Sequence, residues 1–192
     1  MEGRRSTTEL LPRTSNCTVS ARRRVDWQAM TYRIRPAEPA DVPAIVRLIQ
    51  GLAEYEGLPA APDECRLREH LFGDRPWVEA LVAEEGGQVV GFALFFSTYS
   101  TFLTQPGIYL EDLYVEPRHR RRGIGRALLS RVAAIAVARG CARLEWAVLR
   151  WNAPAIAFYD RLGAVPLDEW QIRRLSGEAL HRVAALDGEG GA

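Results

Sequence analysis

The stretch YLEDLYVEPRHRRRGIGRALL, residues 109–129, changes its pattern halfway along and decides the fold. Its first part belongs to a short, mostly apolar run over residues 108–115, which predicts a strand that ends before Glu116-Pro117. From Gly123 onward, apolar residues recur at helical spacing to about Arg139, and Gly140 is a typical residue to end a helix. A strand, a basic loop and an amphipathic helix in this order predict an α/β fold.

The basic loop, Arg120-Arg121-Arg122-Gly123-Ile124-Gly125, stands where the predicted helix begins. The first turn of a helix presents unpaired backbone N–H groups and the positive end of the helix dipole. Two glycines allow close approach to the backbone and the arginines add positive charge, so the loop suits a pyrophosphate. It lacks the Gly-Lys-Ser/Thr of a P-loop and the third glycine of the dinucleotide fingerprint. The same residues also fit a tight turn beside a solvated run of arginines.

Strands and helices alternate along the rest of the chain. The run Val89–Phe96 is apolar on both faces, so we expect it to lie at the centre of its sheet. Asp41 is expected to cap a helix whose buried face carries Val42, Ile45, Val46, Ile49 and Ala53. The other predicted helices are 63–72 and 152–162, and the other predicted strands are 32–35, 78–83, 144–149, 164–167 and 170–175. The pattern predicts a single α/β domain with helices flanking a mixed sheet.

Composition limits the function classes. A length of 192 residues suits one domain, and 47% hydrophobic with 26% charged residues is ordinary for a globular protein. No apolar run approaches the roughly 20 residues of a membrane span. Cys17, Cys65 and Cys141 are odd in number and lack metal-ligand spacing, so we expect a reducing, cytoplasmic location and no metal.

Charge is unevenly distributed along the chain. Residues 1–30 carry six arginines against three acidic residues, so the remainder of this +1 chain is slightly acidic. An acidic body without interleaved aromatic residues argues against nucleic-acid binding through Arg118-His119-Arg120-Arg121-Arg122, and we expect His119 to be solvated. Residues 1–30 are predicted to be a disordered tail or a mis-assigned start, with Met30 as the natural start, and residues 181–192 to be a flexible tail.

The chain resembles the GNAT N-acetyltransferase superfamily, whose Arg-x-x-Gly-x-Gly/Ala signature corresponds to Arg120-x-x-Gly123-x-Gly125. It is most similar to the spermidine/spermine (diamine) N-acetyltransferase branch. The runs that carry the resemblance include Ile34-Arg35-Pro36-Ala37, Leu52-Ala53-x-Tyr55-Glu56, Tyr109-Leu110-Glu111-Asp112, Trp151-Asn152-x-Pro154 and Phe158-Tyr159-x-Arg161. The resemblance implies a GNAT domain over residues 31–180, with a mixed, mostly antiparallel central sheet flanked by helices.

The resemblance also implies acetyl-CoA as co-substrate and a set of residues that bind it. Backbone groups of Leu113, Tyr114 and Val115 would meet the acetyl and pantetheine parts. The pyrophosphate would be held by Arg120, Arg121, Arg122, Gly123, Ile124, Gly125 and Arg126, and the cofactor arm would contact Asn152 and Pro154. Asn152 could instead serve only as the cap of its helix.

Two residues are expected to handle protons. Tyr159 matches the family's catalytic tyrosine and would protonate the departing thiolate, although it could also be core packing. Glu111 is our candidate to accept the proton of the amine, and a backbone N–H near Val115 would stabilise the oxyanion if the strand bulges or splays there. The acceptor would be bound by positions matching Tyr55, Glu56, Glu111, Glu145, Trp146 and Ala147.

The identity of the amine stays open between a polyamine or diamine and a thialysine-like amino acid. The carboxylates available to a cationic acceptor are Glu54, Glu56, Glu111, Asp112, Asp168 and Glu169. Arg150 stands where the polyamine branch has an acidic residue, and its positive charge would oppose a polyamine. Relatives in this branch commonly form homodimers. The alternative functions are an acyl-CoA sensor without catalysis and an acetyltransferase of protein or peptide amines.

Overall fold

The computed structural model describes residues 32–188. The strands are β1 (Tyr32–Pro36), β2 (Glu79–Glu85), β3 (Gln88–Ser100), β4 (Gln105–Val115) and β5 (Arg143–Glu145). The helices of at least two turns are α1 (Val42–Glu56), α2 (Glu64–Phe72), α3 (Ile124–Ala138), α4 (Ala153–Asp160) and α5 (Glu178–Ala185). The described residues divide after Glu145 into two compact units, residues 32–145 and 146–188. The predicted tail of residues 1–30 lies outside the described residues.

The first unit contains one five-stranded sheet in the order β1-β2-β3-β4-β5. The first three pairings are antiparallel, and β4 pairs with β5 in parallel. The mixed, mostly antiparallel sheet implied by the family resemblance is therefore confirmed, with β3 at its centre. Residues 89–95 of β3 are buried in succession because α1 and α3 both contact this strand.

Helices α1 and α3 bury one face each. Val42, Ile45 and Leu48 of α1 belong to the hydrophobic core together with Phe92 of β3. Val46 and Ile49, predicted for the same face, are only partly buried, and the prediction missed Leu48. The buried residues of α3 are Ile124, Ala127, Leu128, Leu129, Val132 and Ala136, which agrees with the helical period read from the sequence.

The side chain of Asp41 does not cap α1, although the residue immediately precedes that helix. Its carboxylate accepts hydrogen bonds from Arg35 Nη1 at 2.5 Å and Nη2 at 2.9 Å, and from the Glu38 backbone N–H at 2.8 Å. Arg35 Nε also donates to Glu84 at 2.7 Å. The expectation of a helix cap was wrong because a largely buried arginine lies within reach and makes the stronger, charge-assisted pair.

The predictions for the end of the chain were partly wrong. Strand β5 ends at Glu145 rather than at Leu149, and residues 164–167 and 170–175 form no strands. Their apolar side chains are instead exposed: Val165 by 77%, Trp170 by 72% and Ile172 by 76%. A strand needs a hydrogen-bonding neighbour, and the described sheet supplies none to these segments. Helix α5, which extends past residue 180, was not predicted.

Candidate functional site

The loop between β4 and α3 has the backbone geometry of an anion-binding cradle. Arg121 has φ +61° and Gly123, the residue before α3, has φ +86°, so the chain enters the helix through two left-handed residues. The N–H groups of the first turn of this fifteen-residue helix point out of its N-terminus. A Cβ on Gly125 would meet only Val115 Cγ2, at 3.9 Å, so the protein itself has room for a side chain there. The absence of a side chain at Gly125 therefore leaves room for a ligand to approach the backbone.

The arginines of the loop have different partners. The Arg120 guanidinium lies 4.5 Å from the centre of the Tyr55 ring and 5.3 Å from that of Tyr114, and its Nε donates to the Val115 carbonyl at 2.8 Å. Arg120 thus connects α1 to β4 through cation–π contacts. Arg122 pairs with Glu85 through Nη1 at 2.8 Å and Nη2 at 2.5 Å. Arg121 and Arg126 are exposed.

Two residues beside the cradle were not identified by sequence reasoning. Tyr32, the first residue of β1, is only 8% exposed, and its hydroxyl has no hydrogen-bond partner among residues 32–188. A Cβ on Gly123 would lie 3.2 Å from that hydroxyl. Glu85, which holds Arg122, is the cross-strand partner of Tyr32. No local signal marks either residue, because a tyrosine at a strand start and a glutamate before a turn are both ordinary.

Strand β4 is open along the edge that faces β5. The parallel ladder between them ends at Tyr109 and Glu145, so within the described sheet β5 does not pair with residues 110–115 of β4. The backbone N–H and C=O groups of an unpaired edge are available to a ligand. The expectation that Leu113 and its neighbours offer backbone groups to the pantetheine arm requires such an open edge, and it stays a prediction.

The bulge in β4 lies at Glu111, not near Val115. Leu94 of β3 pairs with Asp112 and Phe95 pairs with Leu110, which leaves Glu111 as the extra residue. Val115 keeps its regular partner, Gly91. The expectation for Val115 allowed either a bulge or a splay, and the structure has the splay of β4 from β5 there, while the bulge re-aims the exposed carboxylate of Glu111.

Three carboxylates interact at this part of the first unit. Burial, together with the negative charges of Glu111 and Glu56, raises the pKa of Asp112 to about 6. Burial also raises the pKa of Glu56. The three carboxylates together attract a cation. A carboxyl group whose pKa lies near neutrality can also exchange a proton. Glu145 pairs with Arg143 at 2.8 Å. Asp112 was expected only as one of several possible contacts to a cationic acceptor.

Asp112 should make stability depend on pH. Its folded-state pKa lies above the ordinary value of 3.8, so the protonated form favours the folded state and the free energy of unfolding falls as pH rises from about 4 to 6. We expect the free energy of unfolding of Asp112→Asn to fall by roughly 2 kcal/mol less than that of wild type over this pH range. Urea denaturation at pH 4 and pH 7 measures the difference. Parallel pH profiles of wild type and variant would contradict the assignment.

The second unit contains an aromatic cluster and the cap of α4. The Tyr159 ring lies 4.8 Å from Trp146 and 5.1 Å from Phe158, centre to centre. The Asn152 side chain accepts the Ala155 N–H at 3.3 Å, which gives Asn152 the capping role that we considered as the alternative. Of the site residues predicted from the sequence in this unit, Ala147 and Pro154 are exposed.

The expectation that His119 is solvated was wrong. Its side chain is 15% exposed, with Nδ1 3.3 Å from Glu116 and Nε2 3.5 Å from Glu85. Within residues 32–188, no group of three histidine, cysteine or acidic side chains is arranged to hold a metal ion. No helix in the same range is long and apolar enough to cross a membrane.

The chain matches the model of the acetyltransferase (GNAT) family over residues 44–164. It is 42% identical to thialysine N-epsilon-acetyltransferase of Bos taurus over 164 residues, which cover 79% of this chain and 96% of that protein. It is 33% identical to an L-ornithine N5-acetyltransferase of Arabidopsis thaliana, with coverage of 82% and 90%. A solved integron cassette protein from the V. cholerae mobile metagenome is similar at TM-score 0.70 and 28% identity, with coverage of 81% and 98%.

Proposed function

The chain belongs to the GNAT acetyltransferase family and is an N-acetyltransferase, and we propose that it moves the acetyl group of acetyl-CoA directly onto a primary amine of a small molecule. The observation that carries this proposal is the similarity to an acetyltransferase of thialysine along nearly the whole of that protein. Two features of the first unit support the proposal. The open edge of β4 suits an extended ligand, and the cradle at α3 suits an anionic group on that ligand.

The co-substrate would be bound by backbone more than by side chains. The diphosphate would meet the first turn of α3 and residues 121–126, while residues 113–115 would offer backbone groups to the pantetheine arm. In the first unit Arg120 and Arg122 already have partners, so their charges act on the cradle mainly through the field that they create. Asn152 and Pro154 would contact the cofactor arm.

The acceptor would enter as an ammonium ion attracted by Glu56, Glu111 and Asp112. At pH 7 about one in 2,500 amines of pKa about 10.4 is neutral, so deprotonation costs roughly 4.6 kcal/mol. Glu111 would accept that proton, directly or through a water molecule. The free amine would attack the thioester carbonyl, backbone N–H groups on the open edge of β4 would stabilise the oxyanion, and Tyr159 would protonate the departing thiolate. Tyr55, Glu145, Trp146 and Ala147 would line the acceptor site.

We favour an amino acid with a terminal amine over a polyamine as acceptor. The relatives named above act, by their names, on thialysine and on ornithine. The exposed guanidinium of Arg150 would repel the second ammonium of a polyamine, whereas it would attract the carboxylate of an amino acid. A polyamine or diamine is the second candidate, because the acidic group of Glu56, Glu111 and Asp112 suits any cationic amine.

A panel of amines tests the acceptor class. Initial rates with thialysine, ornithine, spermidine, an aminoglycoside and a short peptide should be highest for the two amino acids. Arg150→Glu should then shift the ratio of kcat/KM between spermidine and thialysine by roughly fivefold toward spermidine, a screened single-charge effect. Arg173→Glu, a charge reversal at another exposed arginine, is the matched control. A peptide as preferred substrate would overturn the small-molecule acceptor.

The protein is further proposed to act as a homodimer in the cytoplasm. Apolar side chains are exposed in both units, among them Phe102 at 92%, Trp170 at 72% and Ile172 at 76%. Exposed apolar groups of this size favour an interface. We expect light scattering at micromolar concentration to give twice the mass of the chain. A strictly monomeric but fully active protein would contradict the dimer.

A further inference from the structure

The buried hydroxyl of Tyr32 lies close to the cradle at Gly123. Tyr32 Oη is enclosed by protein and has no hydrogen-bond partner in the part of the chain that the structure describes, although the residue is more than nine-tenths buried. Leaving a buried hydroxyl unpaired is unfavourable, so such a group requires an explanation. The nearest feature of the cradle is Gly123, where an added Cβ would come within 3.2 Å of the hydroxyl. Because Gly123 has no side chain, the backbone of the cradle comes close to the hydroxyl at this position.

The surroundings make this hydroxyl a donor toward an anion. Burial raises the pKa of Tyr32, while the positive charges of Arg126 and Arg122 lower it. The hydroxyl is therefore protonated at neutral pH and lies within the field of two arginines that also act on the cradle. An arriving anion would be attracted to the same place, and a phenol O–H donates strongly to an ionised acceptor.

The pairing of β1 with β2 fixes the position of this group. Tyr32 and Glu85 are cross-strand partners, so their side chains share one face of the sheet. Glu85 holds both terminal nitrogens of Arg122. One residue of the pair thus fixes an arginine of the cradle, and the other places an unused donor beside its glycine.

We propose that the Tyr32 hydroxyl donates a hydrogen bond to the diphosphate of acetyl-CoA when the loop at Gly123 shifts to admit it. This inference rests on the proposed function. Tyr32 then stores an unsatisfied donor in the free protein and uses it in the complex, so one hydroxyl lowers the stability of the free enzyme and raises its affinity for the co-substrate.

The variant Tyr32→Phe tests the proposal in two ways. Isothermal titration with CoA should show a roughly tenfold higher Kd, as expected for loss of a hydrogen bond to a charged group. The free variant should melt at the same temperature as wild type or up to about 4 °C higher, because an unpaired buried hydroxyl is gone. Tyr99→Phe, at an exposed tyrosine of β3, is the matched control and should change neither quantity.

A truncated donor identifies the group that Tyr32 contacts. S-acetylpantetheine has no diphosphate, so kcat/KM with this donor should be equal in wild type and Tyr32→Phe. An unchanged Kd for CoA, or an equal loss with both donors, would overturn the proposal and indicate a packing role. Failure of the wild-type protein to bind CoA would instead overturn the proposed function together with this inference, which separates the two failures.

Discussion

Replacing Tyr159 by phenylalanine is expected to lower kcat by roughly 100- to 10,000-fold, the range of general acid catalysis. The thiolate leaving group needs a proton, and the proposed mechanism assigns that transfer to the Tyr159 hydroxyl. The Kd for acetyl-CoA should stay unchanged, because phenylalanine keeps the ring contacts with Trp146 and Phe158. Single-turnover kinetics with saturating amine measure the step itself.

The control for this variant is Trp146→Phe, which alters the same aromatic cluster but keeps the hydroxyl. It should weaken acceptor binding and leave kcat within about tenfold of wild type. Near-normal turnover in Tyr159→Phe would remove the hydroxyl from the mechanism and leave Tyr159 as a packing residue of α4.

Replacing Glu111 by glutamine is expected to lower kcat/KM for the amine by roughly 100-fold at pH 7. The variant keeps the size and hydrogen-bonding capacity of the side chain but cannot accept a proton. Raising the pH should restore part of the loss, because more of the amine is then neutral without help. The measurement is the pH profile of kcat/KM from pH 6 to pH 10, with wild type and variant compared.

Asp112→Asn separates the base from the electrostatic environment. Asp112 neighbours Glu111 and is more buried, so its loss should mainly raise KM for the cationic acceptor. If Asp112→Asn lost as much kcat as Glu111→Gln, and Glu111→Gln were not rescued at high pH, Asp112 would be the proton acceptor instead.

Much of the fold could be predicted because it depends on local patterns. The run of β3 that is apolar on both faces indicated a central strand, and the glycines at the start of α3 indicated a close backbone approach. The partners of charged groups could not be predicted. Asp41 had the position of a helix cap, but its carboxylate accepts hydrogen bonds from Arg35 instead.

The candidate site shows the same division. The positions of Glu111 and the cradle followed from the family motifs, whereas the bulge at Glu111 arises from the register of β3 with β4, which no residue type announces. Arg120 fits the signature of a phosphate loop, yet its guanidinium lies against the rings of Tyr55 and Tyr114. Tyr32 could be identified only from the structure, which places its hydroxyl close to Gly123.

The most direct test of the account is release of free thiol from acetyl-CoA by the purified full-length protein with thialysine as acceptor. We expect the release to depend on the amine, and mass spectrometry to find the amine carrying one acetyl group. Tight binding of acetyl-CoA with no thiol release for thialysine, ornithine, spermidine, the aminoglycoside or the peptide would contradict the account and identify the protein as an acyl-CoA sensor.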